Sequence, residues 1–321
     1  MKKTAALFFV MLAFLFIVPA TAAQSFDTVN GSATEFRTAG EVSVAQADAG
    51  TCVTCTSCDD KDQVLAGRLS LAEEDAKIQG IQEYIRENKL SWTAGRTSVS
   101  NLSPAAYTAL RGLKHPSSTG GLPVKGISTG QARDSSSLPA SFDWRDNGGD
   151  WTTPIKNQGS CGSCWAFAST GTFESFWERL NNDPALNPDF AEQYLVSCDT
   201  DPLDAGCDGG FSTSLASFVT RAGKSGGVGT VTESDYPYTA TTGTCKSLAG
   251  KTRYAVPSGG SWNYLAGDCI ISSVENTKRA IYTYGPVNAY INATDAFSSY
   301  TGGIYEEPGS DGGACQTNHV I

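Results

Sequence analysis

Lys2 and Lys3 stand before an unbroken apolar run from Ala5 to Val18, which Pro19 and the small residues Ala20-Thr21-Ala22 close. A basic start, a short apolar centre and a small-residue exit are the three parts of a secretory leader. A membrane-spanning helix needs about 20 apolar residues, and this run is shorter and ends at a cleavage-type site. The expectation is a signal peptide at residues 1–22, then a mature protein outside the cytoplasm with no membrane association. The Lys-Lys start favours secretion over a lysosome or vacuole. Because such a compartment is oxidising, the ten cysteines read mostly as disulfides.

The remaining chain changes character at Leu138. From there onward 20 Asp and Glu oppose 10 Lys and Arg, whereas the preceding part carries 13 of each. An acidic surface of that kind argues against a nucleic-acid partner, which needs a basic stripe. Residues 23–60 are rich in Ser, Thr, Ala, Gly and Asp, without periodicity, and read as poorly ordered. They include Cys52-x-x-Cys55-x-x-Cys58, which lacks a nearby fourth ligand for zinc and reads as a local disulfide with one thiol left over. From Val64 to about Lys89, apolar residues recur mostly at three- and four-residue steps among charges, which predicts a helix. A second helix is predicted over Pro104 to Leu113, with Ser103 as N-cap and Pro104 at its first position. Residues 115–137 have linker composition and should hold a protease-sensitive boundary.

After the boundary a helix is predicted from about Ser163 to Leu180, with Trp165, Ala168, Thr172, Phe173, Phe176, Trp177 and Leu180 on one face. Another should start near Asp189, where Asp189 and Glu192 have capping-box spacing. Beyond Val256 the segments read as short and β-like, with strands over Val287 to Ile291 and at Ile304-Tyr305. The fold class expected is α+β, a helical half followed by a strand-rich half.

The densest chemical signal is Gln158-Gly-Ser-Cys161-Gly162-Ser-Cys164-Trp-Ala-Phe167. Cys164 falls on the first turn of a predicted helix, where unpaired N–H groups and the helix dipole favour an anion. A thiolate is the attacking species of a cysteine nucleophile, and glycines such as Gly162 let backbone approach a bound peptide. The chain holds only two histidines. His115 lies in the linker, which leaves His319 as the general base. Gln158 is positioned to donate its amide N–H to an oxyanion together with the Cys164 backbone N–H. A competing reading makes Cys161 and Cys164 a C-x-x-C redox pair, although the flanks lack the βαβ pattern of a thioredoxin-like site.

The stretch Leu138 to Ile321 resembles papain-like cysteine peptidases throughout. The C-G-[SA]-C-[WY] signature of their nucleophile is joined by Leu138-Pro-Ala-Ser-Phe-Asp-Trp-Arg145, Glu192-Gln-Tyr-Leu-Val-Ser-Cys198 and Gly206-Cys-Asp-Gly-Gly210. Tyr236-Pro-Tyr238, Gly285-Pro-Val287, Tyr300-Thr-Gly-Gly-Ile-Tyr305 and Asn318-His-Val320 follow in the family's order. The resemblance implies a papain-like two-subdomain fold, with a helical left half and a β-barrel-like right half that is incomplete here, and an active site in the cleft between them. It implies disulfides Cys161–Cys207 and Cys198–Cys245. Substrate contacts are implied at Gly162, Gly209, Gly210 and Asn318, with Phe211, Ala289 and Val320 lining an apolar specificity pocket. Ile81, Ile85 and Asn88, then Leu102-Ser-Pro104, resemble the tail of an inhibitory propeptide. Residues 23–137 are therefore expected to form a pro-region that blocks the cleft. Protein or peptide substrates, a monomeric state and no cofactor or metal complete the expectation.

In this family an asparagine downstream of the histidine orients it, and the sequence stops two residues after His319. This reads as a fragment of a longer protein, with the partner of Cys315 in the missing part and Cys269 unassigned. A non-catalytic peptide-binding homologue is the rival of the peptidase.

Overall fold

The computed structural model describes residues 67–114, 138–199, 204–211, 227–256, 274–306 and 317–321. The leader, Cys52, Cys55, Cys58, the 115–137 linker with His115, Cys269 and Cys315 lie outside the described residues.

Helix α1 spans Leu71–Glu87 and begins later than its periodicity predicts. The reason is local: Ser70 Oγ accepts from Glu73 N, and the Glu73 carboxylate accepts from Ser70 N at 2.8 Å, a closed capping box. Leu69 is already committed to Asn101, whose carbonyl accepts its N–H. Strand β1 (Trp92–Ala94) follows, then α2 (Pro104–Ala109), where Ser103 Oγ accepts from Ala106 N as the cap. The second helix stops at Ala109 rather than running to Leu113, and the chain continues past it into a cleft.

Helix α3 (Cys164–Asn181) and helix α4 (Glu192–Cys198) pack together around Trp165, Phe173, Phe190, Tyr194, Leu195 and Val231. Burying each aliphatic or Phe side chain of such a core contributes roughly 1.5–3 kcal/mol. The predicted apolar stripe of α3 is corrected by its neighbours, since Ser169, Thr170, Glu174 and Glu178 are buried while Phe176 and Trp177 are only partly so. Glu174 can be buried because it is satisfied: it accepts from Thr153 Oγ1, Lys156 Nζ and Phe190 N. Asp189 caps nothing. Its carboxylate pairs with Lys156 at 2.8 Å, Ala191 is the α4 N-cap, and Glu192 turns inward to the same lysine at 2.9 Å.

Helix α5 (Val274–Tyr284) occupies a stretch expected to be β-like. Its apolar positions Ala280 and Ile281 are buried, Glu275 pairs with Arg279 one turn on, and Gly285 at φ +112° ends it. Trp144 Nε1 donates to the Ile281 carbonyl at 2.7 Å and docks this helix.

Two small antiparallel pairings complete the architecture. Strand β2 (Tyr290–Ile291) pairs with β4 (His319–Val320), matching Tyr290 to Val320 and Ile291 to His319. Strand β3 covers Tyr300–Gly303, just before the expected Ile304-Tyr305, and pairs with β1. The segment of α1 and β1 is thus stitched to residues 298–306. Trp92 is 3% exposed, donates Nε1–H to the Glu306 carbonyl and lies 4.7 Å from the Tyr305 ring. Lys77 Nζ reaches Ser298 Oγ at 2.7 Å. The fold is α+β, and among the described residues the strands do not close into a barrel.

Candidate active site

A turn precedes the nucleophile candidate. Asn157 Oδ1 accepts from Gly159 N at 2.8 Å, Gly159 takes φ +61°, and the disulfide Cys161–Cys207 pins the loop before α3. That bridge leaves Cys164 as the free thiol among the described cysteines, so Cys161 and Cys164 are not a redox pair. A second disulfide joins Cys198 to Cys245.

Cys164 is the first residue of α3 and is 1% exposed. The backbone N–H groups of Val320, Gly112 and Trp165 and its own surround the sulfur, and each favours the anion. Burial outweighs them and pushes the thiol up. His319 sits on β4, next to Val320. Burial, and then the nearby Arg111 guanidinium, pull the imidazole down to about 4. Its Nδ1 is buried and has no hydrogen-bond partner among the described residues. Both shifts favour the uncharged forms, against the thiolate that the helix seat alone suggests.

The cause is the segment that follows α2. Leu110–Lys114 runs through the site, turning at Leu110–Gly112 as the helix closes and bridging to Gly210 at Leu113. Gln158 Nε2 donates to the Leu110 carbonyl at 3.0 Å and to Cys161 O at 2.7 Å. Gly210 N donates to Gly112 O at 2.8 Å, Lys114 N donates to Gly210 O at 2.9 Å, and Leu113 N donates to Asn318 O. Gly112 passes so close to Gly162 that a Cβ there would lie 1.7 Å from the Gly162 carbonyl oxygen. Leu113 is 9% exposed and shares an apolar cluster with Cys164, Phe211 and Val320.

The structure refines three of the contact positions. Gly210 pairs with the segment, while Gly209 bonds back to Ala205 and Gly206. Ala289 exchanges both backbone hydrogen bonds with Ile321. Its neighbour Tyr290 joins the apolar cluster, 5.9 Å from the Phe211 ring, because successive residues face opposite ways along an extended chain. Asn318 is anchored as well as lining the site: its Oδ1 accepts from Ala293 N and its Nδ2 donates to Asn292 Oδ1. Tyr290, Arg111 and Leu113 were not among the site residues expected from the sequence, and Tyr238 entered only as part of a Tyr-Pro-Tyr motif. The aromatic at 290 was one position from being found, and the others depend on tertiary path.

A family model described as "Papain family cysteine protease" matches residues 138–321. The chain belongs to the papain family. Cysteine proteinase 2 of Dictyostelium discoideum is 39% identical over 172 residues, covering 53% of this chain and 41% of that protein. Cathepsin L2 of Homo sapiens is 34% identical over 177 residues, covering 53% of this chain and 46% of that protein. The chain thus spans less than half the length of either relative. A solved structure of digestive procathepsin L2 from Tenebrio molitor larval midgut is similar at a TM-score of 0.60 and 29% identity, covering 81% of each chain. The helical region beside a small open antiparallel sheet is the papain-like two-part architecture seen from this chain's side.

Proposed function

We propose that this papain-family chain is the exported precursor of a cysteine endopeptidase, held inactive by its own pro-region. Cys164 is the nucleophile, His319 the base and Gln158 a donor to the oxyanion. The observation that carries the reading is the path of Leu110–Lys114. The segment passes the sulfur with Gly112–Lys114 paired to Gly210 and Asn318, and the Leu110 carbonyl rests on the Gln158 amide.

Once that segment leaves, the site regains water and the balance changes. The helix-terminal N–H groups then favour the thiolate and His319 takes the proton. Attack on a substrate carbonyl forms a C–S bond and an oxyanion, which Gln158 Nε2–H and the Cys164 N–H stabilise. Collapse expels the amine with the proton from His319 and leaves a thioester, which water hydrolyses. A substrate backbone would pair with Gly210, with Gly162 and Gly209 leaving room for its approach, and an apolar side chain would take the place of Leu113 between Phe211, Tyr290 and Val320. Residues 1–22 are the leader, 23–137 the pro-region and 138–321 peptidase domain. The protein acts as a monomer on proteins or peptides outside the cytoplasm.

Cys164→Ala in the full-length protein should abolish peptide hydrolysis, and a thiol-directed peptide epoxide should label Cys164 after pro-region removal. Hydrolysis that survives the substitution refutes the reading. Failure to label would favour a non-catalytic peptide-binding homologue.

A further inference from the structure

Ser163 stands at the N-cap of α3, yet its side chain makes no cap hydrogen bond. A serine there ordinarily accepts from the second or third helical N–H. Its hydroxyl lies instead 2.6 Å from the Tyr238 hydroxyl, which donates to the Gln158 carbonyl at 2.8 Å. Since Tyr238 has one proton and gives it to that carbonyl, Ser163 must be the donor to Tyr238. The relay runs Ser163 O–H to Tyr238 O–H to Gln158 C=O. Ser163 is fully buried, and Tyr238 is held from three directions. Its ring meets Phe167 of α3 edge-on at 4.8 Å, its N–H donates to Glu233 Oε1 at 2.6 Å, and Thr239 beside it donates to Gln193 Oε1.

We propose that Tyr238 is a positioning residue of this active site, locking the Gln158 loop to the start of the nucleophile helix. The inference rests on Gln158 and Cys164 having the roles proposed above. Oxyanion stabilisation needs two donors at a fixed spacing, each about 2.7–3.1 Å from the developing charge. One donor, the Cys164 N–H, is part of α3. The other, Gln158 Nε2, belongs to a turn with a left-handed glycine at 159 and no regular secondary structure. The disulfide Cys161–Cys207 ties the end of that turn, and the Tyr238 hydroxyl ties its beginning to Ser163, the residue before the nucleophile.

Tyr238→Phe keeps the ring against Phe167 and removes only the hydroxyl. In the activated full-length protein kcat should fall about 10- to 100-fold, the scale of a misplaced rather than a missing donor, with KM within about twofold. Alkylation of Cys164 by iodoacetamide passes through no oxyanion, so its rate should stay within about twofold of wild type. In a Gln158→Ala background, adding Tyr238→Phe should lower kcat no further. An unchanged kcat, an equal loss in both backgrounds, or a parallel fall in alkylation overturns the proposal. If Tyr238→Phe does not accumulate, Ser163→Ala reads the relay from its other end. Non-additivity with Gln158→Ala is again expected, and additive losses would refute the idea. Absence of hydrolysis in wild type, by contrast, would refute the peptidase reading itself.

Discussion

Lys156 and His319 are both bases withdrawn from water, and their surroundings move them in opposite directions. Burial works against the charge of Lys156, but Glu174, Glu192 and Asp189 lie within 2.9 Å of its ammonium and hold it well above the usual lysine range. His319 is partly buried with its Nδ1 covered, and the charge nearest in effect is another cation, Arg111 of the segment after α2, so both influences lower it. In the helical half, burial is compensated and the cluster is structural. In the cleft it is not, and the uncompensated group is the one the proposed chemistry must ionise. Acid therefore acts differently on the two. Glu174 and Glu192 are raised above their ordinary 4.5 by burial, so their contribution to stability is full below that value and is lost as pH rises through the raised one. His319 is depressed, so the covered cleft loses stability as pH falls from 6.5 toward about 4. Mild acid should loosen the pro-segment while leaving the helical core intact.

The largest effect that could break this contrast comes from Lys156→Met. It would strand two buried carboxylates, and removing one partner of a buried ionic cluster costs about 3–5 kcal/mol. Urea unfolding at pH 7 should show that loss. The same measurement at pH 9 should show more of it, because Glu192, raised to about 8 by burial, then gives up its proton. An equal loss at both values would mean that the cluster does not titrate as its burial implies.

Gly112→Val tests the cleft side. A side chain there meets Gly162 backbone that cannot move aside, an overpacking cost of about 1–3 kcal/mol. Expressed as displacement of the segment, this is about a 5- to 150-fold rise in exposure of the thiol. Alkylation of Cys164 in the uncleaved precursor at pH 7 should accelerate accordingly. No acceleration would mean that α1, β1 and α2 hold the segment in place without Gly112.

Much of the helical half was legible because its signals are short-range. The α3 boundaries, the Ser103 cap and the Cys-x-x-Cys164 neighbourhood need only a few consecutive residues. The misses have the opposite character. The start of α1 turned on Ser70 and Glu73, a cap within reach of the sequence but hidden by an apolar pattern that extends across it. Helix α5 is rich in Thr, Tyr and Asn, weak helix formers, and its docking depends on Trp144, over a hundred residues away in sequence. Tyr290, one position after the expected Ala289, is the residue that packs on the apolar cluster, because one step along a strand reaches the opposite face. No local pattern announces that Arg111 comes to rest beside His319, because the linker composition that follows it says nothing about the path through the cleft.

Arg111 offers the finest test of the contrast. Its guanidinium donates to the Ala293 carbonyl at 2.8 Å, lies 3.5 Å from Asp295 and stacks 4.9 Å over Tyr107. Asp295 is half exposed and offsets only part of the charge. The titration of His319 in the precursor is the one that a His319→Asn substitution removes. Arg111→Gln should move the His319 midpoint up from about 4 but not as far as 6.5, because burial is the larger cause and remains. Arg111→Lys keeps a cation there without the planar contacts and should leave the midpoint low. If both variants raise it equally, the depression comes from the fit of the guanidinium in the cleft and the water it excludes. If neither does, Asp295 already cancels the charge. In either case His319 would still differ from Lys156 in having no carboxylate among the described residues to compensate its burial, and the opposite responses of the two regions would rest on burial alone.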